Sequence, residues 1–201
     1  MKKALEPADP DSAGFKKLAL YIGSLVNFTP DEFSGYAEYF GHETIKRNRH
    51  FINEGDVCEK LSFIISGMFR FYEISDGEEI TTDFSFENSF ITSYISLITS
   101  EPSQLFIQAM EDSELLTLHI SDLRRLYDID QRFERTGRLI AEQVFIDNSR
   151  RLTSVLKDPA ELRYKNLLSR SPHLVQMIPL RYIASYLGIA PETLSRIRKR
   201  I

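Results

Sequence analysis
The sequence predicts an α+β protein: an antiparallel β-sandwich or barrel, one long helix and a C-terminal pair of short helices. Three observations carry this. Between about His42 and Leu118, short β-rich runs alternate with turn residues. From Gln131 to Lys157 there is no proline and a single glycine, Gly137. Leu180–Arg200 has the apolar spacing, and the glycine, of two helices joined by a tight turn. The frame is ordinary: 201 residues, 42% hydrophobic and 27% charged, enough for one or two domains. No run approaches the roughly 18 apolar residues of a membrane span, so a cytoplasmic protein without a membrane partner is expected. Cys58 is the single cysteine, which excludes an internal disulfide and any four-cysteine cluster within one chain.

Residues 1–12 are polar, contain two prolines and lack periodicity, so a mobile tail is expected. Leu18, Tyr21, Ile22 and Leu25 then recur at helical spacing. Thr29-Pro30-Asp31-Glu32 supplies an N-cap, a proline at the first helical position and a capping-box glutamate for a second helix. Strands are expected over Leu61–Ile65, Met68–Ile74, Ile80–Phe86 and Leu105–Met110, with Asp76-Gly77 turning one hairpin. Fourteen Phe and nine Tyr in a chain without Trp suit the two faces of such a sheet. Helical texture returns near Ser121.

The stretch 131–157 would span roughly 40 Å at about 1.5 Å per residue, more than a small domain needs. Its apolar residues form two sets. Leu139, Ile146 and Leu152 are expected to face the body, and Phe133, Ile140 and Val144 another side. A helix with two stripes packs against two things, and a second copy of itself is the simple candidate. Asp158-Pro159-Ala160-Glu161 repeats the start signal and marks the domain boundary before a helix to about Arg170. Ser171-Pro172 stops that helix, and Val175–Ile178 is a short strand candidate. The expected plan is a tail (1–12), a β-domain with flanking helices (13–130), a dimerisation helix (131–157) and a C-terminal domain (158–201).

The net charge of −4 argues against a generic nucleic-acid binder, but it is unevenly spread. Residues 161–201 hold eight basic and two acidic residues, a balance of +6, which leaves −10 on residues 1–160. An acidic body with a basic end is what a regulatory domain joined to a nucleic-acid reader would show. In Leu180–Arg200 the apolar positions are Ile183, Leu187, Ile189, Leu194 and Ile197. Ala184 stands where two crossing backbones touch, and Gly188 where the chain turns with positive φ. Pro191 opens the second helix. Its outward positions, Glu192, Thr193, Ser195, Arg196, Lys199 and Arg200, are polar and mostly basic, as a major-groove helix requires.

These pieces together resemble the Crp/Fnr superfamily of transcription regulators from about residue 15 onward. The resemblance rests on Gly55-Asp56-Val57-Cys58, Leu61–Gly67, Ala109–Leu115, Arg163-Tyr164, Ile183–Ile189 and Glu192–Arg198. It implies a cyclic-nucleotide-binding-like β-roll (jelly roll), a long dimerisation helix and a C-terminal winged helix-turn-helix. The family's Glu-x-x-Ser-Arg reading pattern falls on Glu192, Ser195 and Arg196. Arg196 suits guanine O6 and N7, Glu192 cytosine N4, and Ser195 several base edges. Thr193, Arg198, Lys199 and Arg200 suit the DNA backbone. The expected partners are double-stranded DNA at a palindromic site, a second copy of the chain and RNA polymerase.

Two departures stand out. Members that bind cyclic AMP carry a Gly-Glu pair and an Arg-Ser pair. The matching stretches here are Glu87-Asn88-Ser89-Phe90 and Pro102-Ser103-Gln104, where no arginine is present to neutralise a cyclic phosphate. No cofactor is expected, cyclic AMP is disfavoured and the effector is open. The chain also stops at Ile201, so the wing is expected to be absent or reduced. His42, His50, His119 and His173 lack metal-ligand spacing, and there is no phosphate loop or nucleophile elbow, so an enzyme is not expected. The rival reading is a small-molecule sensor or protein-interaction module without DNA binding.

Overall fold
The computed structural model describes residues 5–170 and 177–200. The chain divides into two compact units. The first comprises residues 1–71 and 84–140, and the second comprises residues 72–83 and 141–201.

In the first unit, helices α1 (Ala13–Leu25) and α2 (Pro30–Ser34) precede the strands. The Thr29 hydroxyl accepts from the Glu32 N–H, and the Glu32 carboxylate accepts from the Thr29 N–H, the expected capping box. The strands are β1 (Glu6–Pro7), β2 (Phe40–Ile45), β3 (His50–Ile52), β4 (Lys60–Ser66), β5 (Met68–Ser75), β6 (Glu78–Phe86), β7 (Phe90–Ile91), β8 (Phe106–Ala109) and β9 (Ser113–His119). They form two sheets, ordered β1-β2-β9-β4-β7 and β3-β8-β5-β6. Helix α3 (Tyr94–Thr99) lies between β7 and β8, and α4 (Ile120–Ile129) follows β9.

Alternation along β4 and β9 shows why the five-stranded sheet sits centrally. Ile64 and Leu115 face the inter-sheet core with Phe51, Phe69, Ile107 and Cys58. Phe63, Ile65, Leu116 and Leu118 face a second core with Phe15, Leu18 and Ile22 of α1 and Phe33 of α2. A strand covered on both faces reads as a continuous apolar run, which is the texture of Phe63–Ile65. The β5–β6 hairpin turns at Asp76 and Gly77, both with positive φ (52° and 82°), as a two-residue turn requires.

The tail expectation needs correction. Glu6 and Pro7 pair with His42 and Gly41 of β2, Ala8 donates its N–H to the Phe40 carbonyl (2.8 Å), and Ala8 is buried. A two-residue strand has no periodicity to read, and its partners are distant in sequence (Glu6 with His42, Pro7 with Gly41).

Helix α5 runs Gln131–Lys157, the bounds expected from the sequence. Its first turn is anchored in the first unit. Asp130 accepts from the Arg132 N–H (2.9 Å), from the Arg132 guanidinium (2.8–3.1 Å) and from the Tyr36 hydroxyl (3.2 Å). Arg132 also reaches Glu32 (3.1 Å) and the Asn27 carbonyl (2.9 Å) and lies 3.8 Å over the Phe28 ring. Gly137 lies against the end of the Tyr127 ring, whose hydroxyl would have to shift to admit a Cβ there.

In the second unit, α5 continues from Ala141 and is followed by α6 (Ala160–Arg170), α7 (Leu180–Tyr186) and α8 (Pro191–Arg198). The strand candidate Val175–Ile178 begins outside the described residues, and its last two residues are not in a strand. Ile201, and with it the question of a wing, also lies outside them.

Candidate nucleic-acid interface
Helices α7 and α8 are joined by a turn that uses Gly188 at φ +64°, the left-handed region that a side chain disfavours. The Gly188 N–H reaches the Ser185 carbonyl (2.9 Å), and the Ile189 N–H reaches the Ala184 carbonyl (3.0 Å), so the orphan carbonyls at the end of α7 are satisfied. Ile183, Ala184, Leu187, Leu194 and Ile197 are buried, and Ile189 is half-buried. The six apolar or small positions read as the mini-core therefore come together around the turn.

The opposite side of α8 is open. Glu192 and Arg196 are exposed, Ser195 and Thr193 half-buried, and Arg198, Lys199 and Arg200 exposed. Arg196 donates to the Thr193 hydroxyl (3.1 Å), which holds the guanidinium along the helix face. The residues read as base contacts and backbone contacts thus stand on one solvent-facing surface with four cations and one carboxylate. Two further arginines brace this unit from behind. Arg163 donates to the carbonyls of Asp158 and Leu187 (both 2.8 Å), and Arg151 to that of Tyr186 (3.1 Å) while lying over the Tyr186 ring. The distal part of the β5–β6 hairpin, residues 72–83, also belongs to this unit. The Thr81 N–H donates to the Ser185 hydroxyl (2.8 Å), which in turn donates to the Glu79 carbonyl (3.3 Å). Sequence reading had no signal for that contact, because it joins positions 104 residues apart.

The dimer-helix residues divide. Phe133 is buried in the first unit, with its ring 4.8–6.1 Å from those of Phe28, Phe33 and Tyr36. It serves the protomer's own core, which corrects its assignment to the free face. Leu139 packs on that core as expected, Ile140 is half-buried and Val144 is exposed. Ile146 and Leu152, expected to face the body, are exposed, as are Phe145 (74%), Val155 and Leu156 (75%). Two aromatic and aliphatic residues three-quarters exposed on one helix mark an unpartnered apolar face.

The residues matched to the nucleotide cassette do not converge. Glu87 is exposed and pairs with Lys17 (3.4 Å), and Asn88, at φ +62°, donates its N–H to the Ile64 carbonyl. The Ser89 hydroxyl donates to the Phe86 carbonyl (2.6 Å), and Gln104 is exposed. Only Ser103 is buried, and it meets residues the sequence reading passed over. Its hydroxyl contacts that of Ser93 (2.9 Å) and donates to the Leu105 carbonyl (2.8 Å). Nearby, the Ser96 hydroxyl accepts from the Cys58 N–H (2.9 Å) and donates to the Glu101 carbonyl. The Cys58 thiol lies 3.3 Å from the Thr92 hydroxyl. The legible signal was the run of hydroxyl residues from Ser89 to Ser103. These hydroxyls bond to one another and to backbone, so the segment is closed by its own hydrogen bonds. Arg70, fully buried on β5, was also passed over: with the exposed Glu73 it is one of two charges in the run Met68–Ile74. Among the described residues no cluster of His, Cys, Asp or Glu could hold a metal ion, and no helix is long and apolar enough to cross a membrane.

The cyclic nucleotide-binding domain family matches residues 42–130. No curated protein matches the sequence. Among solved structures, FixK2 from Bradyrhizobium japonicum is similar with a TM-score of 0.69 at 20% identity, covering 80% of this chain and 83% of its own. A CooA mutant from Carboxydothermus hydrogenoformans has a TM-score of 0.69 at 15% identity, covering 90% and 83%. A structure described as a transcriptional regulator of the Crp/Fnr family, from Eubacterium rectale, has a TM-score of 0.65 at 18% identity, covering 87% and 83%. The cyclic nucleotide-binding domain match is thus confined to residues 42–130, and the chain shares the fold of these solved structures.

Proposed function
We propose that the protein is a homodimeric transcription regulator that reads a palindromic duplex with α8. The observation that carries this is the division of α8: Leu194 and Ile197 are buried against α7, while Glu192, Arg196, Arg198, Lys199 and Arg200 face solvent. An amphipathic helix with a cationic outer face, set after a glycine turn, suits the major groove and its phosphate borders. In this reading Glu192, Ser195 and Arg196 contact base edges, and Thr193, Arg198, Lys199 and Arg200 contact phosphates. A dimer through α5 places two such helices roughly 34 Å apart, one turn of duplex. The regulator responds to something other than cyclic AMP, because its Ser93–Ser103 hydroxyls are already bonded among themselves and residues 87–104 contain no arginine.

A gel-shift titration of genomic fragments tests this. Binding should weaken steeply with salt, as several phosphate contacts release counterions. Footprints should be two-fold symmetric. A folded protein that binds no duplex, or binds with salt-independent affinity, rules the reading out.

A further inference from the structure
The second unit contains a cleft of ≈ 420 Å³ where α5, α6 and the end of α7 meet. Its charged lining is unbalanced: Arg150, Arg151 and Arg163 against Asp158 alone, with the Asn166 amide and the Ser154 hydroxyl beside them. The one carboxylate is already engaged, accepting from the Ser154 hydroxyl at 2.6 Å. Arg151 and Arg163 give their terminal amino groups to carbonyl oxygens, which are neutral and leave both charges uncompensated. Their Nε–H groups are buried and have no hydrogen-bond partner. A buried guanidinium N–H without an acceptor costs free energy comparable to a lost charged hydrogen bond. Such groups persist where something supplies the acceptor.

We propose that this cleft is a binding site for a small oxyanion, a phosphorylated or polycarboxylate molecule, held by Arg150, Arg151, Arg163 and Asn166. A volume of this size takes a small molecule, and guanidinium forks match carboxylate and phosphate oxygens with paired N–H donors. Arg150 and Ser154 stand on the side of α5 away from Phe145 and Leu152, by the 100° step of a helix, so an α5 pairing through those two leaves both polar residues free, while Val155 lines the cleft at its edge. The ligand bridges α5 to α6 across the Asp158-Pro159 joint. It therefore fixes the angle at which the helix-turn-helix leaves the long helix, from a site outside residues 42–130. The site does not depend on the DNA-binding proposal, since the cleft and its charges exist without duplex.

Isothermal titration of the full-length protein with pyrophosphate and, separately, citrate tests it, at constant ionic strength with chloride as the reference anion. At least one should bind saturably, one per protomer, with Kd below about 1 mM. The preferred probe distinguishes a phosphoryl from a carboxylate ligand. Arg150→Gln removes an exposed cation, and Asn166→Asp places a carboxylate in the cleft. Each should weaken binding about tenfold or more while the circular dichroism spectrum and melting temperature stay those of the wild type. Absence of binding above the chloride reference for both probes overturns the proposal, as does binding that both variants leave unchanged. Variants that weaken duplex binding uniformly, in a protein that binds neither probe, would make the cleft a DNA-backbone contact instead.

Discussion
At the scale of single residues, Gly188 and Arg196 carry different kinds of information. Gly188 sits at φ +64° with open space where a Cβ would be, so the objection to a side chain is conformational rather than steric. Gly188→Ala should destabilise the C-terminal unit by about 1–2 kcal/mol, read as a lower denaturation midpoint, with no change in which base pairs are preferred. Arg196 is exposed and donates to the Thr193 hydroxyl of its own helix, so its removal should barely affect folding. On the proposed function, Arg196→Ala relaxes preference at one base pair by about 1–3 kcal/mol, whereas Lys199→Ala weakens all sequences alike and flattens the salt slope. Binding-site selection with each variant separates the two roles; a sequence-selective loss in Lys199→Ala would reverse the assignment. Both positions were legible because turn glycines and outward helix positions are local properties. Phe133 was not, since it matches a helical stripe equally well on either side and only its ring contacts with Phe28 and Tyr36 decide the matter.

At the scale of elements, local signals located helix ends well. Thr29-Pro30 starts α2, and α5 runs between the bounds set by Asp130 and Asp158. What holds the start of α5 in place was less visible, because Glu32, Tyr36, Asp130 and Arg132 come from three segments. The hydrogen bonds from Arg132, then that from Tyr36, hold the Asp130 carboxyl below the usual carboxylate range. Glu32 is lowered too, by the Thr29 N–H and by Arg132, and the Tyr36 phenol is raised by burial and by Asp130. A carboxyl depressed in the folded state stabilises the fold fully above its unfolded value of about 3.9, and that contribution is lost as pH falls through the lower folded value. Asp130→Asn should therefore lower the melting temperature by a few degrees at pH 7. The gap from wild type should hold down to about pH 5 and close below about pH 4. A gap that widened on acidification would contradict the clamp. The cassette shows the opposite limit of legibility. Residues 87–90 were matched by order along the chain, but the buried hydroxyls that meet are those of Ser93 and Ser103, brought together by the loop that follows α3.

At the scale of the whole molecule, the question is what covers α5 beyond the first unit. From Ala141 onward, Ala141, Phe145, Asn148, Leu152 and Val155 recur at alternating steps of four and three, the spacing of a coiled-coil seam, with Val144 and Leu156 flanking it. The sequence reading took Phe133, Ile140 and Val144 as the dimer face; the seam proposed here lies one strip away, because without the fold Ile146 and Leu152 look as able to face the body as Phe145 does. The greater exposure of Phe145, Leu152 and Leu156 supports this strip as the proposed seam. Burying each on a partner contributes about 1.5–3 kcal/mol, and a two-fold seam counts every residue twice. A single polar residue in such a seam sets register at a cost in stability, which is the part assigned to Asn148 in the proposed seam. Two variants with opposite expected signs follow. Phe145→Glu puts two carboxylates face to face and should shift the protein to monomer in sedimentation velocity, with duplex affinity falling because two half-sites are no longer held together. Asn148→Leu should lower the dimer dissociation constant or admit larger assemblies. A Phe145→Glu protein that sediments as the wild type does would place the dimer contact elsewhere on the molecule, and with it the spacing assigned to the two α8 helices.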